Sequence, residues 1–123
     1  MGKQERVAIL GASADVERFA HQAQRMLKQH GHAVVPVNPR ETRIDGDPVV
    51  PALASIKGKV DTLTMYVRPA ISSQQQADIL ALAPRRVVFN PGTENPELES
   101  TLRGAGIECV EACTLVMLRT GTW

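Results

Sequence analysis

Residues 6–13 read Arg6-Val7-Ala8-Ile9-Leu10-Gly11-Ala12-Ser13. A short apolar, β-rich run stops at a glycine followed by two small residues. Such a run predicts a strand. The glycine permits a tight turn, and its small neighbours let backbone N–H groups approach an anion at the start of a following helix. Beyond this turn, Val16, Phe19, Ala20, Ala23, Met26, Leu27 and His30 recur at i, i+3, i+4, i+7 spacing. That spacing predicts one buried face of a helix, closed by Gly31 at a position free to take positive φ. Ala33-Val34-Val35-Pro36-Val37 predicts a second strand, ended by Asn38-Pro39. Pro36 has no donor, which places it near a strand end or in a strand paired on one side.

The rest of the chain repeats this alternation. Asp45-Gly46-Asp47-Pro48 is a turn signal, followed by a short strand at Val49-Val50 and one helical turn over 52–56. A third clear strand is expected over Val60–Val67. Ser72 with Gln75 fits a capping box that opens a helix to Ala83, and Pro84 stops it. Arg85–Phe89 is another strand. Asn95 caps the next helix with Pro96 at its first position, Glu97 and Glu99 near its positive end and Arg103 near its negative end. Ile107–Val110 is the last strand, and the apolar tail from Cys113 to Leu118 fits a strand or a helical turn. Strands alternating with helices, with short continuous apolar strands, imply a parallel sheet covered on both faces. The expected fold is α/β: a single Rossmann-like, doubly wound domain over residues 1–123, with about five parallel strands and helices on both faces.

Composition narrows the function. The 123 residues carry 14 Lys+Arg against 13 Asp+Glu, a formal charge of +1. That argues against a nucleic-acid binder relying on a strong basic field, though one basic pocket for a small anion remains compatible. No apolar run reaches the ~20 residues of a membrane span, and the N-terminal residues lack the pattern of a signal peptide. A cytoplasmic location is the expectation. Two cysteines, Cys109 and Cys113, are too few for a disulfide framework and have no nearby histidine for a zinc site. They read as reduced, packed thiols.

In a doubly wound sheet the ligand lies at the carboxyl ends of the strands. Four segments are expected there: Gly11-Ala12-Ser13, Val37-Asn38-Pro39-Arg40, Val67-Arg68-Pro69 and Asn90-Pro91-Gly92. A dinucleotide fingerprint reads G-x-G-x-x-G, with an acid about 20 residues on for the ribose diol. Gly11-Ala12-Ser13-Ala14-Asp15-Val16 lacks its second and third glycines, and the second strand ends in Asn38 and Arg40. A neutral amide followed by an arginine suits a phosphorylated ribose. This disfavours NAD and leaves NADP or the 3′-phosphorylated ADP of coenzyme A. Arg18, early in the first helix, is a further candidate phosphate contact.

The Gly-Ala-Ser turn, the Val34-Val35-Pro36-Val37-Asn38-Pro39 strand end and Arg68-Pro69 together resemble the CoA-binding protein family. Its members are small stand-alone relatives of the N-terminal CoA-binding domain of the succinyl-CoA synthetase α subunit. The resemblance runs from Val7 to about Leu118. It departs at Asn90–Asn95, and it has one arginine, Arg68, where many members have two. The resemblance implies CoA across the carboxyl edge. Gly11, Ala12 and Ser13 would hold the pyrophosphate; Val37, Asn38, Pro39 and Arg40 would surround the adenosine and its 3′-phosphate. Val67, Arg68 and Pro69 would line the opposite wall.

No nucleophile–base pair is evident. His30 and His32 fall at the far end of the first helix, Arg85 and Arg86 are expected to be solubilising residues at the far edge of the sheet, and Glu94 near the mouth is a possible base or a loop cap. The leading expectation is a CoA or acyl-CoA binding module. The alternatives are a small NADP- or acyl-CoA-dependent enzyme, and a structural partner domain that has lost its ligand. The tail ending at Trp123 is expected to pack on the sheet edge or to form a dimer contact, with a homodimer or another protein partner left open.

Overall fold

The computed structural model describes residues 3–123. Five strands form one parallel sheet: β1 (Arg6–Leu10), β2 (Ala33–Val37), β5 (Thr62–Met65), β6 (Arg86–Phe89) and β7 (Glu108–Glu111), in the order β2-β1-β5-β6-β7. β1 pairs in register with β2 from Arg6↔Ala33 to Leu10↔Val37, and with β5 from Val7↔Thr62 to Leu10↔Met65. A two-stranded hairpin, β3 (Arg43–Ile44) and β4 (Asp47–Pro48), lies outside this sheet. Asp45 and Gly46 have φ of 49° and 81°, the pair of positive values that a two-residue type I′ hairpin turn demands. Beyond it only Val50 bridges to Val37, so the expected Val49-Val50 strand reduces to a single bridge. Pro36 sits in the outer strand of the sheet, where its missing donor costs no ladder bond.

Alternation along the strands divides the core. Ala8, Leu10, Leu63, Met65, Val87 and Phe89 point to one face, where they meet Ile79 of α3 (Gln76–Leu82) and Leu98 and Leu102 of α4 (Pro96–Gly104). Val7 and Ile9 point to the other and meet Ala20 and Leu27 of α1 (Phe19–Gln29) and Leu118 of α5 (Thr114–Arg119). Fully buried side chains such as Ile9, Leu27, Leu63 and Phe89 each contribute about 2 kcal/mol. The chain is therefore a single α/β Rossmann-like domain. Among the described residues no helix is long and apolar enough to cross a membrane.

Several local expectations are corrected. α1 begins at Phe19, and its buried positions are Ala20, His21, Ala23, Gln24 and Leu27. Val16 and Phe19 are 60% and 69% exposed. The cause is local: Ser13 Oγ accepts from the Asp15 N–H (3.1 Å) and Asp15 Oδ1 from the Glu17 N–H (3.0 Å), which holds 13–18 in turns and delays the helix. The Ser72–Gln75 box is not used. Helix α2 (Pro69–Ser72) starts four residues earlier, capped at Arg68 with Pro69 at its first position, where a missing N–H is harmless. Ser72 Oγ donates instead to the Pro69 carbonyl. Asn95 does cap α4, accepting from the Leu98 N–H.

Arg86 is the largest correction. It lies at the amino end of the sheet as expected, but it is only 6% exposed. Its guanidinium stacks over the Trp123 ring at 4.4 Å from the centroid and lies 3.6 Å from Glu5 Oε1. His32 lies on the same ring, with centroids 6.0 Å apart. The tail thus ends as a helix, α5, and a tryptophan packed within the chain.

Candidate functional site

The strand order reverses between β1 and β5: β2 lies on one side of β1 and β5, β6 and β7 on the other. Crossovers leave in opposite directions there, and a crevice opens beyond the carboxyl ends. Gly11 occupies that point at φ +93°. A Cβ on it would stand 2.9 Å from Val67 Cγ1 and 3.0 Å from the Tyr66 carbonyl carbon and oxygen. Only glycine fits both the conformation and the space. The Gly11 and Ala12 N–H groups both donate to the Val37 carbonyl, at 3.3 and 3.2 Å. Asn38 Nδ2 donates to the Ala12 carbonyl (2.8 Å), while its Oδ1 accepts from the Arg40 and Glu41 N–H groups (2.7 and 3.1 Å). The first two predicted segments are thereby tied into one rigid ledge.

Two clefts flank Gly11, which lines both. The larger, of about 560 Å³, is bounded by Ser13 and Arg18 on one side, by Tyr66 and Arg68 at its base, and by Pro91, Gly92 and Thr93 across from them. The smaller, of about 260 Å³, lies behind Val67, between Val37, Asn38 and Pro39 and the residues Pro51, Ala52, Ile71 and Gln75. Of the residues singled out from sequence, Ala12, Arg40, Pro69 and Asn90 line neither. Ala12 is buried against α1 and Arg40 is exposed beside Asn38. The Asn90 amide is engaged within the protein: Nδ2 donates to Thr64 Oγ1 and to the Met65 carbonyl, and Oδ1 accepts from the Thr114 N–H, all at 2.8 Å.

Three arginines without ion pairs cluster at this end. Arg25, Arg85, Arg86 and Arg103 all make ion pairs with carboxylates. Among the described residues Arg6, Arg18, Arg40, Arg43, Arg68 and Arg119 make none; Arg6 and Arg43 donate to backbone carbonyls instead, and Arg18, Arg40 and Arg68 are the exposed ones that gather at the carboxyl end. Arg18 is also the residue before α1, and no side chain caps that helix. Its N-terminal N–H groups and the positive end of its dipole face the larger cleft. Glu94 acts as a loop cap, accepting from the Gly92 N–H at 2.9 Å. The Ser13 carbonyl takes His21 Nδ1 at 2.8 Å, which puts the ring proton on that nitrogen. Burial pushes the Tyr66 phenol up to about 12, against the pull of the Thr114 and Thr64 hydroxyls. The phenol is protonated at neutral pH. Burial likewise pushes the Cys109 thiol up to about 11, in keeping with a packed, unreactive cysteine.

Sequence reasoning missed Phe19, Tyr66 and Thr93 in the larger cleft and Pro51, Ile71 and Gln75 in the smaller. Tyr66 directly precedes Val67 and was within reach of the strand-end argument. Pro51 and Ile71 come from segments that only the tertiary fold brings to the site.

The sequence pattern of a family described as CoA binding domain matches residues 5–119. Over 66 residues the chain is 27% identical to the uncharacterized protein YneT of Bacillus subtilis (strain 168), covering 54% of this chain and 49% of that one. The match therefore spans about half the length of that curated relative. A crystal structure of an uncharacterized protein superposes with a TM-score of 0.93 at 43% identity, covering 99% of this chain and 100% of that one. The structure of cell-free ID.343 from Thermus thermophilus superposes with a TM-score of 0.89 at 34% identity, covering 98% and 91% of the two chains.

Proposed function

The chain belongs to the CoA binding domain family, and from that premise we propose that it is a CoA or acyl-CoA binding module holding its ligand across the carboxyl ends of the parallel strands. The observation that carries the reading is the set of unpaired arginines, Arg18, Arg40 and Arg68, around a glycine turn with a cleft on each side. CoA is a long, bent ligand with phosphates in its middle and at one end. In this reading the smaller cleft takes the adenine between Val37, Pro39 and Val67, and Arg40 faces the 3′-phosphate. Ser13 and the open end of α1 receive the pyrophosphate beside the Gly11-Ala12 turn, whose own N–H groups are held by the Val37 carbonyl, with Arg18 and Arg68 neutralising it. Pro69 fixes the wall that carries Arg68, and Asn90 fixes the β6 end that carries Pro91 and Gly92. The larger cleft, at about 560 Å³, is within the usual range for small-molecule sites and takes the pantetheine arm. The role is to bind and present the ligand.

The test is a thermal-shift titration with CoA, acetyl-CoA, NAD and NADP in parallel. Ligand at 100 times its Kd stabilises by ~2.7 kcal/mol, which raises Tm by several degrees for a domain this size. A shift with CoA or acetyl-CoA is expected. A shift with NADP alone replaces the reading with that of a nicotinamide enzyme, and no shift with any of the four overturns it.

A further inference from the structure

We propose that the larger cleft reads the group on the CoA sulfur, that this group is an uncharged, apolar acyl chain, and that Phe19 selects it. The inference rests on the CoA-binding reading above. The chain has two phenylalanines. Phe89 is fully buried in the core, whereas Phe19 is 69% exposed on the rim of the larger cleft. A ring left in water beside a ligand site has apolar area to bury against whatever enters. Phosphate and ribose do not offer that area, and the adenine end lies on the far side of Gly11 and Val67. The larger cleft then takes the pyrophosphate at Ser13, Arg18 and Arg68, and past it the pantetheine arm and its acyl load. Tyr66 and Pro91 give the same cleft further apolar wall opposite Phe19. Glu17, on the same rim as Phe19, opposes an acyl chain that ends in a carboxylate. Arg18 and Arg68 would favour such a chain only if the phosphates left them free.

The experiment is calorimetric titration of the full chain with CoA, acetyl-CoA, butyryl-CoA and succinyl-CoA, for the native sequence, Phe19→Ala and Phe19→Leu. Each fully buried methylene is worth about fourfold in affinity. On this half-open rim the affinity is expected to rise from CoA through acetyl-CoA to butyryl-CoA, with roughly a fivefold span. In Phe19→Ala that span should shrink to below about twofold, while Phe19→Leu retains most of it. An unchanged butyryl-to-CoA ratio in Phe19→Ala overturns the inference. So does tighter binding of succinyl-CoA than butyryl-CoA, which would assign acyl recognition to the arginines. Failure of all four ligands to bind is a different result and removes the CoA reading itself.

Discussion

The two ends of the parallel sheet use the same side-chain chemistry to opposite purposes. At the amino end an arginine, a tryptophan, a histidine and a glutamate pair with one another, beside a cleft of about 340 Å³ that Glu5, His32 and Trp123 also line. Arg86 stacks on Trp123 and faces Glu5, the Glu5 N–H donates to His32 Nδ1 at 3.0 Å, and Thr62 Oγ1 donates to Glu5 Oε1 at 2.7 Å. At the carboxyl end arginines and aromatics also gather, but Arg18, Arg68 and Phe19 stand open around a cleft. An arginine that has its carboxylate and its ring is part of the frame; one that has neither is free to meet an anion. Residue type therefore does not separate the two ends, and the absence of a partner counts only beside a cleft, since Arg119 is also exposed and without an ion pair but lines neither cleft.

The largest effect expected from a single change is at the hinge of the open end. Gly11→Ala places a side chain at φ +93° and within 3.0 Å of the Tyr66 backbone. It should cost about 3 kcal/mol, read as the free energy of urea unfolding, and should abolish CoA binding. At the closed end Arg86→Ala should cost about 2 kcal/mol and leave CoA affinity near native; loss of affinity without loss of stability would break the contrast between the ends. Arg68→Ala is the mirror test. Stability should move by less than about 0.5 kcal/mol, while CoA binding weakens roughly tenfold or more, and becomes less sensitive to salt.

The smallest effect is a pH dependence confined to the closed end. His32 accepts a hydrogen bond at Nδ1 and is therefore neutral in the fold. Burial holds it below its ordinary value of 6.5, helped by the charges of His30 and Arg86 and opposed by Glu5. Because the unfolded chain takes up this proton first, the contribution is intact above about pH 6.5 and is lost as the pH falls from there toward the folded value. Urea midpoints at pH 7.5 and 5.5 should show a decline in the native protein that is reduced in His32→Gln. Emission from Trp123, the single tryptophan, should report the same transition.

The open end was also the more legible in the sequence. Glycine and proline at strand ends follow from local backbone rules, so the sequence alone places Gly11, Asn38-Pro39 and Arg68-Pro69 at the carboxyl ends of the strands, where the fold has them. β1 and β2 came out with their observed limits because a short apolar run carries its own boundaries. The closed end was opaque, since Arg86 is buried by Glu5 and Trp123, which are remote from it in sequence and adjacent only in the fold. The start of α1 was misread for another reason. Val16 and Phe19 satisfy helical spacing, but the Ser13 and Asp15 side chains compete for the backbone N–H groups of the first turn. Phe19 then falls on the cleft rim and Val16 in solvent, while Ala20, Ala23 and Leu27 keep the pattern's phase in the core.

The loop after β6 has a consequence for how the molecule can be altered. It is pinned at both ends by asparagine amides. Asn90 holds Thr64, Met65 and Thr114, and Asn95 Nδ2 donates to the hydroxyls of Ser72 and Ser73 at 3.0 and 2.9 Å. Between these two rivets lie four residues, of which only Thr93 is buried. Within the interval 91–94, Thr93 is itself fastened, its N–H and hydroxyl both donating to the Asn90 carbonyl, so the exposed positions Pro91 and Glu94 are where the rim can be rewritten while the sheet beneath stays as it is.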